Sequence, residues 1–304
     1  MPASHSLPEL TDNPFLLGNT AAYQRWRDRK LSGQPAGLGD LVVEIKDPST
    51  LRDSERQAIL ERCRKTNMAL YISPASGRRE VPLALGRQLG LLRLDHNWLA
   101  DDDGLTSLTV VDTGDRKQFI PYSDRPIKWH TDGYYNTPGQ QIHGLLLYCE
   151  QRAAQGGENA LMDHEIAYLL LREENPEHIH ALMADDVMTI PARMEGDTTA
   201  RQDQTGPVFS VNPITGNLHM RYTARTHSVR WKEDAATHAA AACLTRILAS
   251  DSPFIYRGLL EPGMGLISNN VLHDRTGFKD NETHRRLLYR ARYYDRIKDT
   301  HWDE

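Results

Sequence analysis

Short apolar runs bounded by turn-forming residues recur along the chain, and they predict a mainly β core. Residues 41–45, 68–72, 108–111, 144–148, 208–211 and 218–222 read as strands. The cluster Asn212-Pro213-Ile214-Thr215-Gly216-Asn217 between the last two predicts a hairpin turn. Apolar positions at helical spacing mark helices over 50–65, 81–91, 165–171, 176–183 and 235–248; in the last, Cys243, Leu244, Ile247 and Leu248 form the stripe expected to be buried. Residues 1–38 are polar and rich in Pro, Gly and Ser, which predicts a surface arm. A single domain over 39–304 follows, with helical insertions at about 164–250. Strands on either side of a polar loop close the chain over 266–296. The order of elements fits a β-sandwich or jelly-roll core with helices around it.

Composition narrows the partners. Lys and Arg total 36 against 41 Asp and Glu, a formal charge of -5, and no long basic run exists to track a phosphate backbone. Nucleic acid is therefore not an expected partner. Cys63, Cys149 and Cys243 are far apart and form no Cys-X-X-Cys pair, so they read as buried thiols in a reducing compartment. Neither a signal-peptide pattern nor a membrane-length apolar run is visible, which makes the cytoplasm the expected location and a membrane an unexpected partner.

The sharpest local feature is Trp129-His130-Thr131-Asp132-Gly133. In extended chain, residues two apart project from one side, so His130 and Asp132 are set to grip one ion. His273, at the end of Asn269-Asn270-Val271-Leu272-His273, is the best third ligand. Two imidazoles and a carboxylate on one face of an octahedron leave three positions open, as oxygen chemistry at iron(II) requires. An isolated His-X-Asp is common by chance, and a neutral buried histidine is the simpler reading of the others. The accompanying arginines change that balance.

In 284–292, Arg286, Arg290 and Arg292 share one strand face, with Leu287 and Tyr289 on the other. Arginine forks onto a carboxylate with two parallel hydrogen bonds, so this face beside a metal suggests an anion pocket, although several arginines on a strand more often mark a solvated edge. Around the metal motif, Trp129, Tyr134, Tyr135 and Tyr122 are candidates for an aromatic wall near the substrate. Arg221, Arg225 and Arg230, in or after the strand 218–222, are candidates for greeting an anionic substrate, and Arg292 is a further substrate candidate.

These motifs resemble, in order and spacing over about residues 40–296, the taurine dioxygenase-like (TauD/TfdA) family of Fe(II)/2-oxoglutarate oxygenases. Met68–Ile72 and Leu85-Gly86-Arg87-Gln88-Leu89-Gly90 look like the family's early strand and helix, with leucine where the family has phenylalanine before the final glycine. Trp129-His130-Thr131-Asp132 resembles the first two iron ligands. Gly156-Gly157-Glu158-Asn159 resembles the Gly-Gly-Asp-Thr turn, with Asn159 in place of the threonine that touches 2-oxoglutarate. Asn212-Pro213-Ile214-Thr215-Gly216 resembles the family's Pro-x-Thr-Gly turn, and the segment ending in His273 its distal-histidine strand.

The resemblance implies a double-stranded β-helix (jelly-roll, cupin-like) core and iron held by His130, Asp132 and His273. It also implies 2-oxoglutarate held at its far carboxylate by Arg286 with Asn159, Arg290 facing co-substrate or substrate, and O₂ as oxidant. The implied outcome is hydroxylation of an aliphatic C–H in a small polar, anionic metabolite, with release of succinate and CO₂; desaturation and cyclisation are alternative outcomes. It further implies a homo-oligomer, dimer or tetramer. Two readings compete: a cupin-like metal module without catalysis, for which the Arg286/Asn159 pair has no use, and a zinc hydrolase on the same triad, for which no His-Glu-X-X-His helix is present.

Overall fold

The structure is a computed structural model that describes residues 12–303 apart from 75–76, 97–99 and 196–197. Two sheets carry the architecture. One has six strands, ordered Val42–Glu44, Met68–Ile72, Met264–Ser268, Gly144–Gln151, Leu287–Tyr293, Thr106–Leu108. The other has four, ordered Tyr256–Gly258, Asn159–Met162, Leu272–Arg275, Ile127–His130. Pairing is antiparallel throughout except between Val42–Glu44 and Met68–Ile72.

The two-residue period of a strand explains how the large sheet is covered on both faces. Leu145, Leu147 and Cys149 join Met68, Leu70, Leu266 and Leu288 in one cluster, which also takes in Leu161 and Tyr256 from the four-stranded sheet and Val271 just ahead of its strand Leu272–Arg275. Their neighbours Leu146 and Tyr148 point the other way, with Ala69, Tyr71, Ile267, Ala291 and Tyr293, against Ile59, Leu60 and Cys63 of the helix Asp53–Thr66 and Val81 and Leu85 of the helix Val81–Gln88. A continuous apolar run thus reflects burial from both sides. No room exists for side chains at Gly265, where a Cβ would meet Leu147 O at 2.1 Å.

A third cluster forms where the helices His164–Glu174, Pro176–Leu182 and Ala235–Leu248 pack together. Asp163, Asn175 and Asp234 cap their N-termini by accepting a backbone N–H. Cys243, Leu244, Ile247 and Leu248 are the buried stripe expected of the last helix. All three cysteines are free and buried.

Most elements match the sequence reading within a few residues, with two differences. The run 108–111 is strand only as far as Leu108. The segment expected as a surface arm lies partly outside the described residues, at 1–11, but the rest is built into the core: Phe15 and Trp26 are buried, Phe15 with its ring edge-on to Trp26 and Tyr168. The helix Thr20–Leu31 is fixed by Lys30, whose Nζ sits 2.6 Å from both Asp163 and Glu165. Among the described residues no helix is long and apolar enough to cross a membrane.

Candidate metal centre

The strands Ile127–His130 and Leu272–Arg275 pair so that His130 lies directly opposite His273. Residues opposite each other across an antiparallel pair share a face, and the two rings accordingly stand 4.2 Å apart, centroid to centroid. Each Nδ1 is 3.0 Å from a backbone carbonyl two residues earlier, Lys128 O for His130 and Val271 O for His273. With Nδ1 so engaged, Nε2 is the nitrogen left to face the space between the rings. Burial, followed by the field of His273, pushes His130 down to about 3, which keeps it neutral and ligand-ready at physiological pH.

Asp132 enters on the turn that follows the first strand. Gly133 adopts φ 68°, and a Cβ there would meet Ile142 Cγ1 at 2.4 Å, so glycine is required. Asn270, itself left-handed at φ 54°, clamps the turn: its Oδ1 accepts from Asp132 N at 2.8 Å, and its Nδ2 donates to Asp132 O and Ile142 O at 3.0 and 2.7 Å. Asp132 Oδ1 accepts from Arg290 Nη1 at 3.0 Å, with Arg292 Nη1 at 3.6 Å. Its Oδ2 is buried, lacks any hydrogen-bond partner, and lies 4.0 Å from His273 Nε2. Burial alone would raise the carboxyl, but Arg290 and Arg292 outweigh it and hold Asp132 well below the usual carboxylate range. An ionised oxygen with no partner, beside two imidazoles whose Nδ1 atoms are already engaged, fits a divalent cation.

The other expected residues divide. Arg290 lines the cavity over the triad while bonding Asp132. Arg292 is buried and supports the site from behind: it bonds Asp95 Oδ2 and donates to Tyr135 Oη at 2.8 Å, while Asp95 also accepts from Tyr294 Oη at 2.7 Å. Arg290 and Arg292 lie on a strand flanked on both sides, so the solvated-edge reading of that face does not apply.

Arg286 is buried beside Gly157 and 5.2 Å from the centre of the Phe278 ring, whose centroid is 4.8 Å from the Arg275 guanidinium. No carboxylate of a described residue makes a salt bridge with either arginine. Burial pushes Arg286 down to about 10, and burial with the neighbouring Arg286 pushes Arg275 down to about 9. Arg275 is satisfied by Ser123 O and Arg125 O at 2.8 and 2.6 Å. Asn159 Nδ2 donates to Asp274 O at 2.9 Å and its Oδ1 is buried without a partner.

Besides Arg292, which is buried behind the site and does not line the cavity, two substrate candidates are corrected. Trp129 is turned into the helical core, because strand alternation puts it on the face opposite His130. Arg221 serves as a clip for the backbone, donating to the carbonyls of Pro207, Gln204, Gly206 and Tyr134. Tyr122, Tyr134 and Tyr135 do line the cavity, which holds about 980 Å³, as does Arg225. Sequence reasoning gave no role to Asn270 and Asp95, and it missed Phe119, Arg193 and Arg201, which also line the cavity. Only Asn270 stood within a quoted motif.

The family model described as taurine catabolism dioxygenase TauD, TfdA family matches residues 29–292. The chain belongs to this TauD/TfdA family. A uridine-5'-phosphate dioxygenase of Amycolatopsis sp is 31% identical over 171 residues, covering 54% of this chain and 60% of that protein. Another of that name from Streptomyces sp is 29% identical over 196 residues, covering 63% and 70%. This chain's match therefore spans under two thirds of the Amycolatopsis relative's length.

Among solved structures, an asparagine oxygenase in complex with Fe(II), 2S,3S-3-hydroxyasparagine and succinate aligns with a TM-score of 0.53 at 13% identity, covering 80% of each chain. A taurine dioxygenase from Burkholderia xenovorans gives 0.57 at 14%, covering 86% of this chain and 89% of that one. At such identity the likeness concerns the fold: the two sheets form the jelly-roll core of TauD/TfdA oxygenases, as expected.

Proposed function

We propose that this protein is an Fe(II)- and 2-oxoglutarate-dependent dioxygenase acting on a small polar, anionic metabolite. The observation that carries the reading is Asp132 Oδ2, an ionised, buried and unpartnered oxygen beside two histidines whose Nδ1 atoms are already engaged. His130, Asp132 and His273 would hold the iron, which when bound supplies activation of O₂ coupled to oxidative decarboxylation of 2-oxoglutarate to succinate and CO₂.

The protein's own part is positioning and charge. Arg290 holds Asp132 so that one oxygen stays available, and Asn270 fixes the backbone from which that carboxylate hangs. Arg286, a buried cation that makes no salt bridge with a carboxylate of a described residue, supplies the counter-charge for the far carboxylate of 2-oxoglutarate. Asn159, with one amide hydrogen given to Asp274 O, has a second to offer. Tyr122, Tyr134 and Tyr135 wall the cavity in which a C–H bond of the substrate would lie.

Uridine 5'-phosphate, named in the two relatives, is the first substrate to offer. Hydroxylation is the outcome we assign, in a cytoplasmic homo-oligomer, dimer or tetramer, without a nucleic-acid partner. The test is anaerobic addition of Fe(II) and 2-oxoglutarate, followed by the metal-to-ligand charge-transfer band in the visible spectrum. The band is expected in the wild type, lost in Asp132→Ala and weakened in Arg286→Ala. Iron binding with no band would leave a metal module or a hydrolase and would overturn the proposal.

A further inference from the structure

The helical layer brings together a second set of metal-binding side chains, which the dioxygenase reading does not use. Glu174 ends the helix His164–Glu174, His178 lies on the next helix, Pro176–Leu182, and Cys243 on the helix Ala235–Leu248. One carboxylate oxygen, one imidazole nitrogen and the thiol sulfur all lie within 4.8 Å of one another. Asn175 interrupts the helical path between the first two and caps the second helix, so Glu174 and His178 meet across a helix break, with His178 Nε2 3.9 Å from Glu174 Oε1.

Burial sets this group apart from a solvated surface cluster. Cys243 is 5% exposed and the His178 side chain 12%, while the Glu174 side chain, at 43%, opens a way in for a cation. The group already holds a positive charge: Arg246, one turn beyond Cys243 on the same helix, donates from Nη2 both to Glu174 Oε2 and to Cys243 Sγ, the latter at 3.5 Å. The Arg246 side chain is 62% exposed, so it can swing out without opening the core. With the arginine in place, burial and then the hydrogen bond and charge of Glu174 push the Cys243 thiol up to about 11, which leaves it protonated at neutral pH.

We propose that Glu174, His178 and Cys243 form a second metal site, for a thiophilic divalent cation of the zinc class, in which the cation takes the place of the Arg246 guanidinium. Thiolate, imidazole and carboxylate are the donor types of protein zinc sites, and bonds of about 2.0–2.3 Å set two donors on one ion about 3–4 Å apart. The group reaches that spacing by a small inward movement, which the exposed carboxylate supplies once Arg246 leaves. On binding, the Cys243 proton passes to solvent, and a thiolate, a carboxylate and a neutral imidazole balance the two charges of the ion, with water in the fourth position. Calcium and magnesium, which take oxygen donors, are not suited to this set.

Such an ion would tie together three helices whose cluster also contains Trp129 and Leu272, the sequence neighbours of His130 and His273. Its role is to stiffen the layer behind the iron-bearing strands, and it does not depend on the dioxygenase reading.

The experiment is anaerobic titration of the full chain with Co(II), in a thiol-free reductant, followed by absorption. A thiolate bound to Co(II) gives a sulfur-to-metal charge-transfer band in the near ultraviolet, which the nitrogen and oxygen donors of His130, Asp132 and His273 cannot produce. We expect this band in the wild type, and in Asp132→Ala we expect it to saturate at one ion per chain. Zn(II) added afterwards should abolish it.

Cys243→Ala should lack the band, and His178→Ala and Glu174→Gln should each weaken Co(II) binding at this site at least tenfold. Arg246→Gln, which removes the competing cation, should tighten it several-fold. Glu174 and Arg246 are exposed, so their two variants should melt as the wild type does without metal. Absence of the band from both wild type and Asp132→Ala, its persistence in Cys243→Ala, or wild-type Co(II) affinity in Glu174→Gln would each overturn the site. Weaker binding in Arg246→Gln would overturn the exchange of arginine for metal.

Discussion

Arg290 Nη1 lies 3.0 Å from Asp132 Oδ1, and that one contact separates the two oxygens of a carboxylate into one that is satisfied and one that is not. Removing a group that orients a metal ligand typically weakens metal affinity or activity 10- to 100-fold. Arg290→Met is therefore expected to lower Fe(II) affinity by at least about tenfold, measured by anaerobic titration. Affinity equal to wild type would show that Asp132 is oriented without it.

Asn270 acts on the same carboxylate through the backbone. Asn270→Gly preserves access to φ 54° but removes the bonds to Asp132 and Ile142. Iron affinity should fall with it, and the amide of Asp132 should lose protection from hydrogen exchange. Unchanged protection would place the rigidity of this turn in Gly133 instead.

Arg286→Ala removes the buried cation assigned to 2-oxoglutarate. Losing one partner of a buried ion pair costs on the order of 3–5 kcal/mol, so the KM for 2-oxoglutarate should rise by about a hundredfold or more, with a smaller rise in Arg286→Lys. An unchanged KM would move the role to another arginine of the site.

Lys30 tests the packing of the N-terminal helix. Its Nζ lies between Asp163 and Glu165, all three nearly excluded from water. Lys30→Ala should lower the unfolding free energy by about 3–5 kcal/mol, read as a shift in urea midpoint. A midpoint equal to wild type would mean that the Phe15 and Trp26 contacts alone hold the segment.

The same pair has a pH signature. Burial raises the Glu165 carboxyl, but Lys30 outweighs it and brings it from an ordinary 4.5 to about 2. A group depressed on folding contributes stability above its unfolded pKa and loses it as pH falls toward the folded one. The stability gap between wild type and Lys30→Ala should stay constant above about pH 5 and narrow from there toward pH 2. A gap that widens with acid would contradict the assignment.

The strands and helices were legible because burial on alternating faces writes itself as period, most plainly at Leu145 to Cys149 and in the helix Ala235–Leu248. His130 and Asp132 were legible for a related reason, standing two apart at a strand end. That rule also excludes Trp129 from the metal face, since it is the immediate neighbour of His130. The helix Thr20–Leu31 read as polar because its buried positions include Lys30, whose acidic partners lie far along the chain.

Arg221 looked like a substrate cation because the carbonyls that satisfy it come from other loops. Arg193 and Arg201 carried no local signal: their partnership exists only in hairpin register.

The pairing of His130 with His273 also bears on how the protein is assembled. The two strands are distant in sequence and meet through backbone bonds within a four-stranded sheet, so the ligand pair exists only once that long-range closure is complete. Metal would then act as a latch on a finished frame and not as a seed for folding. It would add stability by mass action in proportion to its free concentration, slowing the parting of these strands while leaving the rate of chain collapse unchanged.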